Sequence, residues 1–300
     1  MNEDLDQRVR HGAFHFLDQL NNRYGEALPF AELRQGFNFD GERVPLIGPQ
    51  GIFKPKIMEL PLTINTSPNS PYNDSLSYDG LLLYMYRGTN PDHHENVGLR
   101  KAMELGKPLI YFQGAVPGRY VAAWPVYIVG DDPKNLTFSI AFDDQKNLVS
   151  SQHYQVRDSE VDIRRRYKTA EVLVRLHQGV FRERVLKAYK HSCTLCQLKH
   201  DQLLDAAHII PDSEETGEPV VSNGLSLCKI HHAAFDSNIL GISPDFIAEI
   251  RQDILNETDG PMLRYGLQEM HGKKIWLPRR LQDKPNQDAL SERYSKFKAA

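Results

Sequence analysis

All three cysteines of the chain lie between positions 193 and 228, in a pattern that constrains how that segment folds. Two residues separate Cys193 from Cys196, and Cys228 and His231 repeat that spacing. Two such pairs are a common ligand set for a tetrahedral zinc ion. The alternative, apolar buried cysteines, is disfavoured because three cysteines and a histidine rarely converge by chance. The spacing predicts a structural zinc, with His232 as the alternative to His231.

Length and composition indicate an ordinary globular protein. The 300 residues leave room for about two domains. Hydrophobic residues make up 40% and charged residues 25%, and no apolar run is long enough to cross a bilayer. The polar, acidic N-terminus does not resemble a signal peptide, and cysteines used as metal ligands indicate a reducing compartment. We therefore expect a cytoplasmic protein that does not associate with membranes.

The charge of the chain is distributed unevenly. The net charge of -3 gives no support for nucleic-acid binding, yet residues 157–190 hold ten basic residues against five acidic ones. A local excess of this kind can follow a phosphate backbone. The alternative is a solvated helix face with internal ion pairs. The predicted phosphate contacts are Arg164, Arg165, Arg166 and Arg182.

The order of helix and strand patterns predicts an α+β protein. Residues 5–24 have the apolar spacing of an amphipathic helix. Short β-rich runs dominate from Phe30 to Asp144, interrupted by one helix, and they favour a small barrel or a strongly bent sheet. Residues 161–189 have a helical pattern, which we expect to break near Gly179. The predicted division is an N-terminal helix (1–30), a β-rich domain (31–150), a basic helical linker (151–190) and a C-terminal domain with an extension (191–300).

Further polar residues lie among and after the cysteines. They are Asp205, His208, Asn223, His232 and Asp236. At about 100° per residue on a helix, Cys228 and His231 point in one direction, and His232 and Asp236 point in another. The segment therefore predicts two adjacent sites, the zinc site and a second site with separate chemistry.

The predicted order of strand, loop, strand and helix from about Phe181 to Ile242 resembles the HNH endonuclease domain, a ββα-metal fold, in its zinc-knuckle variant common in restriction enzymes. The resemblance implies that His208 is the general base that deprotonates the attacking water. It implies that Asn223 orients the ring of His208 or fixes the loop. It also implies that His232 and Asp236 hold a catalytic divalent ion, Mg²⁺ or Mn²⁺.

One position departs from the family pattern. The residue before the general base is often a second metal ligand, but here it is Ala207, which cannot coordinate an ion. Asp205 lies on the same face of a strand as Ala207 and is the candidate replacement.

The β-rich domain is similar, over about residues 45–145, to SRA-like domains (SET and RING associated), which have an SRA/PUA-like curved β-barrel. Those domains hold a flipped modified cytosine between aromatic rings. Here the resemblance implies that Tyr72 and Tyr86 stack on the base, that Asp74 or Asp79 accepts from its amino group, and that Arg87 lies at the same site. The alternative is aromatic residues that fill a core and aspartates that occupy turns.

Together the two resemblances imply a modification-dependent DNA restriction endonuclease that acts on double-stranded DNA carrying 5-methylcytosine or 5-hydroxymethylcytosine. Because one HNH site ordinarily cuts one strand, we expect a homodimer. Two alternatives stay open. One is an HNH nicking or repair nuclease that recognises another feature, such as phosphorothioate. The other is a non-catalytic zinc-containing DNA-binding protein.

Overall fold

The computed structural model describes residues 3–68, 81–142 and 160–300, and the side chains of residues 3, 4 and 160–166 lie outside this description. The chain divides into two compact units, Met1–Val180 and Phe181–Ala300. The boundary falls inside one helix. No helix in the described ranges has the length and apolar character needed to cross a membrane.

The N-terminal unit combines helices with a large sheet. Its helices are α1 (Glu3–Tyr24), α2 (Phe30–Gln35), α3 (His94–Glu104) and the first part of α4 (Glu160–Ala188). Its strands are β1 (Ala27–Pro29), β2 (Phe37–Phe39), β3 (Glu42–Val44), β4 (Ile52–Phe53), β5 (Thr63–Thr66), β6 (Leu82–Met85), β7 (Leu109–Val116), β8 (Arg119–Asp132) and β9 (Thr137–Ala141).

The main sheet curls into a half-barrel, with the strand order β4-β5-β7-β8-β9-β6 and β1 paired to β8. The 14-residue β8 pairs with β7 along its first part and with β9 along its second part. Register shifts interrupt both pairings, one of them between Ile128 and Gly130. Such irregularities bend a strand and increase its twist, so one long strand serves both halves of the curve. The predicted mixed α+β architecture with a bent sheet is confirmed.

Both faces of this sheet are covered, which explains the apolar run at the start of β7. Leu109 and Tyr111 belong to one buried cluster, together with residues of α3 and α4. Ile110 and Phe112 belong to another cluster, together with apolar residues of α1. Because successive side chains of a strand point to opposite faces, residues 109–112 are apolar on both faces of the strand.

Helix α1 is fixed to this unit by a buried charged residue. The guanidinium of Arg10 is 2% exposed and donates to the carboxylate of Asp6 at 2.8 Å. It also donates to the backbone oxygens of Pro61 and Pro108. These acceptors satisfy the donors of a buried charge that would otherwise be strongly destabilising.

Helix α4 is continuous through Gly179, so the predicted break is wrong. A Cβ atom at Gly179 would lie 3.1 Å from the side chain of Val121 on β8. The glycine therefore permits close packing between helix and sheet. Its low helix propensity is outweighed by that packing, which a local sequence pattern does not reveal.

The C-terminal unit contains the predicted strand, loop, strand and helix in the predicted order. After the end of α4, β10 (Leu204–His208) and β11 (Gly224–Cys228) pair antiparallel, and α5 (Lys229–Asp236) follows directly. The remaining elements are β12 (Leu240–Ile242), β13 (Ala248–Ile250), α6 (Gln252–Leu255), α7 (Pro261–Gly266) and α8 (Gln287–Ala299). One buried cluster joins these elements, with Phe181, Leu227, Phe235, Ile275 and Leu290 among its members.

Candidate metal and catalytic centres

The two predicted ligand pairs meet in the C-terminal unit. The ligand atoms of Cys193, Cys196, Cys228 and His231 all lie within 4.8 Å of one another. The Nδ1 atom of His231 is 3.4 Å from the Sγ atom of Cys193 and 3.2 Å from that of Cys228. The sulfurs of Cys196 and Cys228 are 3.9 Å apart. Bonds of about 2.0 to 2.3 Å place tetrahedral zinc ligands roughly 3.5 to 3.8 Å apart, so the four side chains fit zinc.

The surrounding backbone holds these ligands in place. The Nε2 atom of His231 lies 2.7 Å from the backbone oxygen of Gly266. Donation from Nε2 to that oxygen leaves Nδ1 free to face the sulfurs. The backbone N–H of Thr194 donates to the oxygen of Ser226 on β11 at 2.7 Å, which ties the first cysteine pair to the second. His231, rather than His232, therefore completes the cluster.

His208 lies at the end of β10 with its ring packed flat against an aromatic residue of α4. The ring centroids of His208 and Phe181 are 4.1 Å apart, and the ring planes differ by 15°. Gly224 pairs with His208 across the hairpin. A Cβ atom at Gly224 would lie 2.9 Å from the Phe181 ring and 2.4 Å from Val185. Only glycine at this position lets α4 approach the hairpin closely enough for the two rings to stack.

The environment of His208 favours its neutral form. Burial lowers the pKa of His208 below its ordinary value of about 6.5. The positive charge of His232 acts in the same direction, and the carboxylates of Asp212 and Asp236 oppose it. Because burial is the largest of these effects, His208 is a neutral imidazole at pH 7 and can accept a proton.

Asn223 fixes the loop that follows His208. Its side-chain Oδ1 accepts from the backbone N–H of Ile210 at 2.9 Å, and its Nδ2 donates to the backbone oxygens of Ile210 and Glu218. The side chain is buried and uses both of its polar atoms in these contacts. Of the two roles that the sequence leaves open for Asn223, these hydrogen bonds support fixing the loop.

His232 lies between two carboxylates on opposite sides of its ring. Its Nδ1 is 3.3 Å from Oδ2 of Asp205, and its Nε2 is 3.3 Å from Oδ2 of Asp236. The hydrogen bond to Asp205 raises the pKa of His232, and the same bond, helped by Lys229, lowers the pKa of Asp205 to about 2. Asp205 is also paired with Lys229 at 2.7 Å. The side chains of Asp205, His232 and Asp236 are in contact, but Asp205 contacts Nδ1 of the His232 ring whereas Asp236 contacts Nε2.

Ala207 is fully buried in the core of the C-terminal unit. A carboxylate or imidazole at this position would point into apolar packing, where burial of an unpaired polar group costs several kcal/mol. The absence of a ligand at Ala207 therefore follows from how the hairpin packs. Asp205, on the same strand face, has a side chain that is 22% exposed and reaches α5.

This geometry agrees with a family-model match. Residues 193–243 match the model for an HNH endonuclease. Residues 193–243 form an HNH endonuclease domain. The domain contains the zinc cluster together with His208, Asn223, His232 and Asp236, so the predicted resemblance is confirmed and the chain carries a nuclease.

Two solved structures resemble the chain more distantly. One is described as "Modification dependent TagI restriction endonuclease"; it is 16% identical, with 79% of this chain and 81% of that chain covered and a TM-score of 0.31. The other is "Structure of the Type IV phosphorothioation-dependent restriction endonuclease ScoMcrA"; it is 14% identical, with 60% and 47% covered and a TM-score of 0.23. No curated protein matches the chain. Neither likeness is close enough to assign a function.

The predicted phosphate contacts are placed only in part. The side chains of Arg164, Arg165 and Arg166 lie outside the described residues. Arg182 donates through Nη2 to the backbone oxygens of Asp201 and Leu204, at 2.6 and 2.8 Å. These hydrogen bonds hold the start of the HNH hairpin against α4. A contact between Arg182 and phosphate stays a prediction.

Two of the predicted base-binding residues line a cleft of about 380 Å³ in the N-terminal unit, whereas Tyr72, Asp74 and Asp79 lie outside the described residues. Tyr86 is buried and stacks on Phe138, with the ring centroids 4.5 Å apart. Arg87, beside it, is half exposed.

Two residues that the sequence did not reveal hold the hydroxyl of Tyr86 in place. Asp131 accepts from the hydroxyl of Tyr86, and Arg100 donates through Nε to Asp131 at 2.6 Å. Burial is the main cause that raises the pKa of Tyr86, and the hydrogen bond to Asp131 adds to it. Arg100 lies on α3 and Asp131 at the end of β8, so only the folded sheet brings them to Tyr86.

Replacement of a buried cysteine in the cluster should release the metal and unfold the HNH domain. We expect Cys228→Ser to lose bound zinc, because structural zinc supplies on the order of 10 kcal/mol of apparent folding free energy to a small domain. Metal analysis of the purified chain and thermal unfolding measure both effects. The control is His200→Gln, an exposed histidine outside the cluster, which should retain one zinc per chain. A Cys228→Ser protein that keeps its zinc and its unfolding temperature would contradict the assignment.

Proposed function

We propose that the protein is a modification-dependent DNA restriction endonuclease, in which residues 191–300 cut and residues 31–150 recognise the modified base. The observation that carries the nuclease part is that His208 lies on the strand that also carries Asp205, and that Asp205 contacts His232 on the following helix. A proton acceptor on the same hairpin as candidate metal ligands is the combination used to hydrolyse a phosphodiester with one bound metal ion.

In the proposed mechanism His208 takes the proton from the attacking water. The stacked Phe181 ring limits the orientations that the imidazole can adopt, and the hydrogen bonds of Asn223 hold the loop that begins after it. General-base catalysis by a positioned side chain contributes roughly 10²- to 10⁴-fold in rate.

The donor atoms of His232 and Asp236 fit a shared divalent ion. Their 3.3 Å separation is close to the roughly 3 Å between adjacent ligands of an octahedral Mg²⁺ ion. A bound Mg²⁺ or Mn²⁺ would stabilise negative charge on the scissile phosphate and the leaving oxygen. The half-exposed Asp236 side chain is open to solvent, as a site for an incoming substrate requires.

Asp205 adjoins this pair, but its observed contact supports a different role from direct ligation. Its carboxylate accepts from Nδ1 of His232, which holds the ring and leaves Nε2 as the ligand atom. Carboxylates that fix a metal-binding histidine in this way are frequent. We propose that Asp205 is a positioning residue, and the sequence-based alternative of Asp205 as a ligand is tested against it below.

The cleft beside Tyr86 is the proposed site for the modified base. Tyr86 cannot move freely, because Phe138 covers its ring and Asp131 accepts from its hydroxyl. A rigid aromatic wall with polar groups at its rim is suited to a flipped base, which is recognised by stacking and by hydrogen bonds to its edge. The cleft therefore supports the same recognition site as the SRA-like sequence pattern. From that pattern we propose 5-methylcytosine and 5-hydroxymethylcytosine as the recognised bases. Cleavage of both strands is proposed to require a homodimer.

The rate of cleavage should fall on the acid side of a pKa below 6.5. Burial lowers the pKa of His208, so the neutral base predominates above pH 6.5 and is lost as the pH falls through the lowered value. We expect kcat/KM for a modified duplex to fall as the neutral fraction of His208 falls at acid pH. We expect His208→Ala to cut about 10²- to 10⁴-fold more slowly and to lose this pH dependence. DNA binding by His208→Ala serves as the control and should be unchanged. A His208→Ala enzyme with the parental rate would remove His208 as the base.

Titration with Mn²⁺ should separate the roles of the two aspartates. We expect Asp236→Asn to abolish binding at the catalytic centre, and Asp205→Asn to weaken it by about 10- to 100-fold, as loss of an orienting carboxylate does. Calorimetry of the zinc-loaded chain without DNA measures this directly. Lys229→Gln is the control, because it removes another charged partner of Asp205 and leaves His232 in contact. Equal and complete loss of Mn²⁺ binding in both aspartate variants would show that Asp205 is a metal ligand.

Discrimination between DNA modifications should depend on the rim of the cleft. We expect the chain to bind a 5-methylcytosine or 5-hydroxymethylcytosine duplex more tightly than the plain duplex, and Arg87→Gln to reduce that ratio about tenfold or more. The measurement is a binding panel of otherwise identical duplexes, including one with a phosphorothioate linkage. Lys101→Gln on α3, outside the cleft, is the charge-matched control. Preference for the phosphorothioate duplex would replace cytosine modification as the recognised feature.

A further inference from the structure

Two segments of the C-terminal unit carry a strong excess of positive charge. Residues 187–199 contain three lysines and no acidic residue, and residues 273–284 contain five basic residues and one acidic residue. These segments are unusual in a chain whose net charge is -3. They lie outside the predicted catalytic residues, and the mechanism above does not use them.

The structure brings the two segments together along one groove. The backbone N–H of Trp276 donates to the oxygen of Thr194 at 2.8 Å, and the hydroxyl of Thr194 donates back to the oxygen of Trp276 at 2.5 Å. Between them lies a groove of about 430 Å³. Its lining includes Lys190, Lys199, Arg279, Trp276, Thr194 and Gln197.

The cations of this groove are not neutralised by the protein. Within the described part of the chain, no ion pair involves Lys190, Lys199 or Arg279, and all three side chains are exposed. Other exposed lysines of the same unit are paired, such as Lys296 with Glu214 and Lys298 with Glu249. Three neighbouring cations without acidic partners create a positive potential that attracts a polyanion.

Trp276 gives the groove an apolar wall. Its side chain is 63% exposed, although its backbone is held on both sides by Thr194. Exposed tryptophans in a polar surrounding are typical of binding surfaces, since the ring supplies contact area at a small cost in conformational entropy. Cations beside an exposed aromatic ring are the combination that binds a sugar-phosphate backbone.

We propose that this groove binds the phosphate backbone of duplex DNA, as a second contact of the HNH unit separate from the scissile phosphate. The inference rests on the proposed function, because it assumes that the substrate is DNA. Lysine binds a phosphate as a point charge, and the guanidinium of Arg279 can donate to two phosphate oxygens at once. Lys190, Lys199 and Arg279 all line this one groove, so each can contact a phosphate of the same DNA.

The test compares two charge-matched double variants of the full-length, zinc-loaded chain. Lys199→Gln with Arg279→Gln removes two unpaired cations of the groove, whereas Lys296→Gln with Lys298→Gln removes two paired lysines of α8. Affinity for a labelled plain duplex is measured by anisotropy between 50 and 200 mM salt, without divalent ions so that the DNA stays intact.

We expect the salt dependence of binding to decrease in the groove variant and to stay unchanged in the α8 variant. Each phosphate contact contributes about 0.9 to the logarithmic salt slope, so the slope should fall by about 2. The ratio of the affinities at 50 and 200 mM salt should then fall by about tenfold. Trp276→Ala should weaken binding and leave the slope unchanged, because the indole carries no charge. Zinc content equal to the parental value shows that each variant is folded.

Four results would overturn the groove assignment. They are an unchanged slope in the groove variant, an equal loss in the α8 variant, an effect confined to single-stranded DNA, and equal displacement of the duplex by a polyglutamate of the same charge. Failure of the proposed function is a different result. In that case the parental chain neither binds the duplex nor cuts modified DNA with Mn²⁺, whatever the variants do.

Discussion

Convergence of three cysteines and one histidine on one point is the interaction on which the HNH domain depends. Cys228 is the last residue of β11, and His231 lies in the first turn of α5. An ion held by both would fix the direction in which the helix leaves the strand. His232 is the next residue, about 100° further around the helix, and so the same ion would set its distance from Asp205. The proposed catalytic centre would therefore take its geometry from the candidate zinc site.

The proposed general base, His208, depends on a second constraint, which is steric. Phe181 reaches the His208 ring only because Gly224, across the hairpin, has no side chain. The same packing removes water from one face of the imidazole, and this burial lowers the pKa of His208. The charge state of His208 therefore depends on the glycine at position 224 and on the aromatic residue of α4. A larger residue at position 224 would change the chemistry by displacing the helix.

Prediction from sequence succeeded where the spacing of metal ligands or the angle between helical residues determines the geometry. Ligand spacing identified the zinc cluster, and the angle between adjacent helical residues separated His231 from His232. It was less successful where packing decides. Ala207 suggested a missing ligand, yet its burial shows a core position, and α4 continues through Gly179 because β8 lies against it. The basic groove joins residues 82 positions apart, a distance that no local pattern spans.

The chemistry of the C-terminal unit also bears on where base recognition must lie. Its proposed catalytic residues would act on one phosphodiester, and the proposed groove would contact phosphates. Neither contact distinguishes one base from another, because phosphate contacts set position and base contacts set specificity. A restriction enzyme built on this unit needs a separate surface that reads a base. In the described part of the N-terminal unit, the cleft walled by Tyr86 offers such a surface, with an aromatic ring held by Phe138 and Asp131. We therefore propose, on chemical grounds, that cutting and base recognition lie in different units.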